Sequence, residues 1–178
     1  MQALDVAIEL IAQSLEAGVN ERRPWYEPLD KPPDEPIISA PMQGEFDAVV
    51  VESEQILGVR ADIFAPCALG AVINDQSIPQ LHAQIVAGAA NNQLLDDRHG
   101  EILKERGILY VPDYAANSGG VFSGCVGLLG WKPEHVAKKV DEIYNTVLDI
   151  LELAASEDIS TNKAADRIAE NNLRIEMR

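Results

Sequence analysis

Apolar positions in residues 5–17, DVAIELIAQSLEA, recur at helical spacing through Val6, Leu10 and the Ser14/Ala17 face. Asp5 can cap the start of that helix and Gly18 can end it. The pattern then breaks. Residues 22–44 hold six of the ten prolines, which disfavours both a helix and a central strand and predicts an irregular or extended linker. Regular patterning starts at Phe46. Short apolar runs of strand type occur at 46–51 (FDAVVV), 61–66 (ADIFAP), 85–90 (IVAGAA) and 108–112 (ILYVP). Helical segments fall between them, one near 75–83 and one near 94–106, where Leu94, Leu95, Ile102 and Leu103 can form a buried stripe. Strands alternating with helices predict βαβ units, and continuous apolar strands predict a parallel sheet covered on both faces. Beyond Tyr114 the pattern is all helical. It predicts helices near 118–129, 134–155 and 161–176. The second carries Val136, Val140, Ile143, Val147, Ile150 and Leu151 on one side, with Pro133 in its first turn; the third is capped by Ser160 or Thr161.

Composition narrows the functional classes. The 178 residues are 47% apolar and 24% charged, the balance of a globular chain. Acidic residues number 29 against 14 basic ones, a net charge of −15. That bias argues against sequence-independent binding of DNA or RNA, and against anionic membrane surfaces. Cys67 and Cys125 make no disulfide framework and read as reduced core thiols. No apolar run approaches the roughly 20 residues that span a bilayer, and the first residues do not read as a signal peptide. The expectation is a cytoplasmic protein with no nucleic-acid or membrane partner.

Three stretches can carry chemistry. Residues 61–71, ADIFAPCALGA, end a strand in small residues, which either admit a flat ligand to the backbone or allow close helix-to-sheet packing. In residues 87–94, AGAANNQL, Asn91 and Asn92 follow a strand. Ligands of open α/β sheets bind just there, although a helix N-cap accounts for one asparagine equally well. In residues 112–125, PDYAANSGGVFSGC, Asn117 precedes Gly119 and Gly120 at a turn into a helix, which suits either anion binding or a simple capped turn. Asp96, Asp97, Arg98 and His99 read as a solvated helix face. His82, His99 and His135 have no metal-ligand spacing.

Taken in order, ADIFAPCALGAVIND, IVAGAANNQL, RHGEILKERGILYVPDYAANSGGV, KKVDEIY and KAADRIAE resemble the C-terminal half of leucine dehydrogenase, within the glutamate/leucine/phenylalanine/valine dehydrogenase family. The resemblance runs from about Phe46 to the C-terminus. It implies NAD as cofactor and oxidative deamination of a branched-chain or aromatic L-amino acid to a 2-oxo acid and ammonia. It places Ala65, Pro66, Cys67 and Ala68 along the nicotinamide side of a cleft, with Asn91 at the nicotinamide ribose or carboxamide. Asn92 would reach the substrate's amino or carboxylate group. Asn117, Gly119 and Gly120 would return the chain to the substrate side. Val121 and Gly124 would shape the side-chain pocket, Gly124 leaving room for a larger, aromatic substrate.

Other family features have no counterpart in these 178 residues. Nothing matches the domain that carries the family's catalytic lysine. Only MQAL precedes residues 5–18, which resemble the helix after the family's glycine-rich phosphate loop; Asp30 and Asp34 follow no recognisable strand. The expected organisation is a remnant of the first nucleotide-binding helix at 1–18, a proline-rich linker at 19–45, and the C-terminal part of the NAD-binding domain with a helical tail at 46–178. The expected fold is α/β, an incomplete Rossmann-type parallel sheet with C-terminal helices. Three expectations follow for the whole: a truncated dehydrogenase inactive alone, a non-catalytic oligomerisation or regulatory module, or one half of a split dehydrogenase. A homo-oligomer or a missing partner half is expected in each.

Overall fold

The computed structural model describes residues 49–176. Three short parallel strands, β1 (Ile63–Phe64), β2 (Ile85–Val86) and β3 (Leu109–Tyr110), pair in the order β1-β2-β3. Ile63, Ile85 and Leu109 lie in one row of the register, and Phe64, Val86 and Tyr110 in the next. Successive strand residues face opposite sides of a sheet, so the two rows feed two cores. Ile85, Ala87 and Val111, with Ile63 and Leu109 beside them, pack toward the C-terminal helices. Val86, Tyr110 and Phe64 pack with Ile73, Ile78, Leu81, Leu103 and Ile108 on the other face. Both faces of the sheet are covered, as the unbroken apolar runs predict.

Five helices complete the described residues: α1 (Arg98–Glu105), α2 (Asp113–Ala116), α3 (Gly119–Leu129), α4 (Pro133–Glu157) and α5 (Thr161–Glu176). Helix α4 is the main cover of the first core. Val136, Ile143, Val147, Ile150, Leu151 and Ala154 are buried, spaced at three and four so that they share one face. Burying each of the valine, isoleucine and leucine side chains contributes about 1.5–3 kcal/mol. Pro133 stands in the first turn, where its missing N–H costs nothing. The helix ends at Asp158, in the left-handed conformation with φ 55°. Lys104 holds this end: its Nζ donates to the Asp158 carbonyl at 2.5 Å and pairs with the carboxylate at 2.8 Å.

Helix α5 packs along α4, and its first turn meets α1. Gly100 of α1 meets Asn162 so closely that a Cβ there would lie 2.0 Å from Asn162 Oδ1. Asn162 Nδ2 donates to the Asp97 carbonyl at 3.1 Å. Ser160 Oγ donates to Glu101 at 2.8 Å, and Thr161 Oγ1 donates to the Tyr110 carbonyl at 2.7 Å. The hydroxyls expected to cap α5 therefore tie it to α1 and β3.

Several expectations are corrected. Residues 49–51 form no strand, and Val49 and Val50 are exposed; residues 46–48 lie outside the described residues, as do the helix at 5–17 and the linker at 22–44. The segment 75–83 is not an α-helix but a bend with one 3₁₀ turn, Ile78–Gln80. Asn74 Oδ1 accepts the Gln76 and Ser77 N–H groups, each at 3.0 Å, a local bond that competes with helix formation. The helix expected over 94–106 begins only at Arg98. Residues 92–95 are drawn into an extended pairing with 71–73, through Ala71 N–H to Asn92 O at 2.6 Å, Ile73 N–H to Gln93 O at 2.9 Å and Leu95 N–H to Ile73 O at 2.9 Å. Leu95 is exposed in consequence. His99 is fully buried rather than solvated, its Nδ1 held at the Asp96 backbone. Cys67 is exposed and Cys125 half-buried, so neither is a core thiol, although both are free.

Candidate functional site

The site is built where the three parallel strands end. After β1 the chain turns through Ala65–Ala68. Pro66 is buried, whereas Ala65, Cys67 and Ala68 are exposed. Three bonds hold this turn against the one that follows β2: Ala87 N–H to Phe64 O at 3.0 Å, Ala90 N–H to Pro66 O at 2.9 Å, and Ala89 N–H to Cys67 Sγ at 3.4 Å. The structure thus brings the 65–68 turn and the asparagine pair into one surface, at the carboxyl ends of neighbouring strands.

Neither Asn91 nor Asn92 caps a helix, since α1 starts six residues beyond Asn92. Asn92 takes the left-handed conformation with φ 53°, a region that asparagine tolerates better than most side chains. Its carbonyl accepts Ala71 N–H at 2.6 Å and its own N–H donates to Asp113 Oδ2 at 2.8 Å. Backbone crowding explains Gly70, where a Cβ would lie 2.7 Å from the Asn91 carbonyl and 2.9 Å from that of Asn92. Both asparagine side chains are exposed.

The turn after β3 supplies the third part. Asp113, only 5% exposed, opens α2, and Asn117 closes it. Asp113 Oδ1 accepts the Tyr110 hydroxyl at 2.6 Å. Burial and the neighbouring carboxylate push the Tyr110 phenol far above its ordinary value. Asn117 does not cap α3. Its Nδ2 donates to the Ala89 carbonyl at 3.2 Å and to Asn91 Oδ1 at 2.5 Å. Gly119 starts α3 against Val140 and Ile143 of α4. Gly120 and Val121 are exposed, Gly124 is half-buried, and open space surrounds the position of a Cβ at Gly120 or Gly124.

Asp113 and Tyr110 lie within the quoted stretches, but no motif singles them out. The one signal for Asp113 is its place directly after an apolar strand run, at the sheet edge where ligands bind. Ala65, Cys67 and Ala68 expose small side chains there, and Asn91 is exposed directly after Ala90, which is bonded to Pro66. The described residues also contain a cavity of about 400 Å³ lined by Asp75, Ile78, Pro79, Ile102 and Arg106, none of which belongs to the strand-end surface. No group of three or more His, Cys, Asp or Glu side chains able to hold a metal ion occurs among the described residues. None of the described helices is long and apolar enough to cross a membrane.

Proteins of known activity are similar to this chain in sequence and fold. Leucine dehydrogenase of Bacillus cereus is 50% identical over 129 residues, which are 72% of this chain and 35% of that protein. L-tryptophan dehydrogenase of Nostoc punctiforme is 44% identical over 140 residues, 78% of this chain and 40% of that protein. The crystal structure of L-tryptophan dehydrogenase from Nostoc punctiforme superposes with a TM-score of 0.75 at 43% identity, over 80% of this chain and 43% of that one. The chain therefore spans about two-fifths or less of the length of the curated relatives it matches. The Glutamate/Leucine/Phenylalanine/Valine dehydrogenase profile matches residues 34–178. On these matches and on the fold, the chain belongs to the glutamate/leucine/phenylalanine/valine dehydrogenase family.

Proposed function

We propose that residues 46–178 belong to the cofactor-side wall of an NAD-dependent L-amino-acid dehydrogenase cleft. The observation that carries this reading is the joining of the 65–68 turn to residues 87–90, which lead directly into Asn91 and Asn92, across the ends of two parallel strands. Ala65, Pro66, Cys67 and Ala68 flank the nicotinamide, and Asn91 donates to its carboxamide or ribose. NAD, when bound, supplies the hydride acceptor. Asn92 reaches the amino acid, and Val121 and Gly124 shape the pocket for a branched-chain or aromatic side chain. Hydride transfer needs both reactants held in register. A lysine-bearing wall must therefore face this one, and the 178 residues alone are expected to turn over little or no amino acid.

The test has two arms. NADH is titrated into the chain while the Asn91 and Asn92 backbone signals are followed by NMR. Absorbance at 340 nm is then followed with NAD and leucine, phenylalanine or tryptophan, with and without the lysine-bearing half of a leucine dehydrogenase. Shifts at Asn91 and Asn92, with turnover appearing only on mixing, support the proposal. NADH signals confined to other residues would overturn it.

A second reading, an oligomerisation module without catalysis, draws on α3. Val121, Leu128 and Leu129 are 70%, 86% and 65% exposed on a helix that buries none of its residues. It predicts self-association by light scattering and no response to NADH.

A further inference from the structure

Asn91 and Asn92 are adjacent, and a single turn of helix holds both, one by its side chain and the other by its backbone. Helix α2 is four residues long. At its start Asp113 accepts the backbone N–H of Asn92 at 2.8 Å. Immediately after its end Asn117 donates to the side chain of Asn91 at 2.5 Å.

The direction of the second bond follows from its neighbour. The Ala89 carbonyl can only accept, so the Asn117 atom 3.2 Å from it must be Nδ2. That same Nδ2 meets Asn91, so the Asn91 atom facing it must be Oδ1. The carboxamide of Asn91 is thereby fixed in one of its two flips, with Nδ2 turned away from Asn117. Its two N–H donors remain for a ligand.

The first bond fixes what Asn91 is attached to. Asn92 sits at φ 53°, in the left-handed region that asparagine tolerates better than most side chains but that still needs holding. Its N–H is held by Asp113 and its carbonyl by Ala71. Asp113 is itself held by the Tyr110 hydroxyl at 2.6 Å, inside the core.

We infer that α2 is a positioning clamp, in which Asp113 sets the backbone of the asparagine pair and Asn117 orients Asn91 to offer hydrogen-bond donors, so that the ligand atom met by Asn91 is an acceptor. The inference rests on the cleft reading above for the identity of that ligand, but not for the clamp itself. Asn117 is then a positioning residue and not a direct substrate contact.

The test combines side-chain NMR with NADH binding to the 178-residue chain. In the ligand-free chain the Asn117 side-chain NH₂ pair should exchange slowly with water and the Asn91 pair quickly. Equal, fast exchange of the two pairs would overturn the clamp whether or not NADH binds. In Asn117→Asp the partner of Asn91 can only accept, so the Asn91 amide should reverse and its NH₂ pair become protected. NADH affinity should fall about tenfold, the loss of roughly one hydrogen bond. Asp113→Asn sets an NH₂ group against one of its two donors and should weaken NADH by a similar factor. Asp166→Asn removes the same charge beside Tyr114 and should leave NADH binding unchanged. If NADH binds the parent chain and Asn117→Asp alters its affinity less than twofold, the inference is wrong. If NADH does not bind the parent chain, the cofactor reading fails, and the exchange of the two amide pairs decides the clamp alone.

Discussion

The Cα of Gly100 rests against the carboxamide of Asn162, where a methyl group would sit 2.0 Å from Oδ1 and 2.7 Å from Cγ. Asn162 is buried and anchored by its bond to the Asp97 carbonyl, so it cannot swing aside freely. Gly100→Ala should therefore destabilise the chain by about 1–3 kcal/mol, the cost of overpacking, even though alanine is the better helix former. Urea denaturation of Gly100→Ala, Asn162→Ala and the double variant checks this. The double variant should recover at least about 1 kcal/mol relative to the sum of the singles. Strict additivity would mean that the contact does not set the cost.

Glu101 links α1 to α5 through Ser160 Oγ at 2.8 Å and Lys163 Nζ at 2.7 Å. Lys163, and then Ser160, hold its carboxyl below the ordinary value of 4.5. A carboxylate with a depressed value in the folded state adds stability above the unfolded value and loses it as pH falls through the folded one. Glu101→Gln should thus cost on the order of 1 kcal/mol at pH 7. The gap to the parent chain should close as pH drops below about 4.5. Denaturant midpoints of both chains from pH 7 to pH 3 measure this. A gap independent of pH would assign the loss to packing.

Legibility in the sequence followed the range of the forces involved. The α4 face through Val136, Ile143, Val147, Ile150 and Leu151 was legible because periodicity within one helix decides which side is buried. The positions of β1, β2 and β3 were legible because both core rows are apolar, although each strand is only two residues long; the apolar run at 49–51 misled, since it packs into neither row. His99 was not, because Asp96, Asp97 and Arg98 around it are exposed and its burial is decided by packing across elements. The late start of α1 was hidden because residues 71–73 compete for the same backbone groups. The three asparagines were legible as site candidates; their geometry was not. Asn92 meets Asp113 across 21 positions and Asn117 meets Asn91 across 26, and no local pattern records such a pairing.

Tyr110 and Asp113 make the alkaline limb of stability testable. Burial first, and the Asp113 carboxylate second, raise the Tyr110 phenol. Burial likewise raises Tyr114, with Asp166 adding to it. A phenol raised in the folded state keeps its proton while the unfolded chain loses its own, so stability is full below about pH 10 and declines above it. Tyr110→Phe should cost about 1.5–3 kcal/mol at pH 7, the loss of a bond to a buried charged group. It should also flatten the decline between about pH 10 and pH 12. Denaturant midpoints across that range decide the point, and an unchanged slope in Tyr110→Phe would remove this tyrosine as the cause.

Helix α3 has the sequence GGVFSGCVGLL, with glycine at 119, 120, 124 and 127. Glycine inside a helix costs about 0.5–1 kcal/mol relative to alanine. At Gly100 a close neighbour accounts for that cost. At Gly124 nothing lies within 4 Å of where a Cβ would be, so packing in this chain does not require the glycine. Gly124→Ala should then raise stability by about 0.5–1 kcal/mol, the opposite sign to Gly100→Ala. A urea midpoint that rises at constant slope is the expected result. It would leave the space beside Gly124 without a folding purpose, as a pocket for a bulky substrate side chain requires. A midpoint that falls would mean that the glycine serves the fold, and Gly124 would have to be dropped from the pocket.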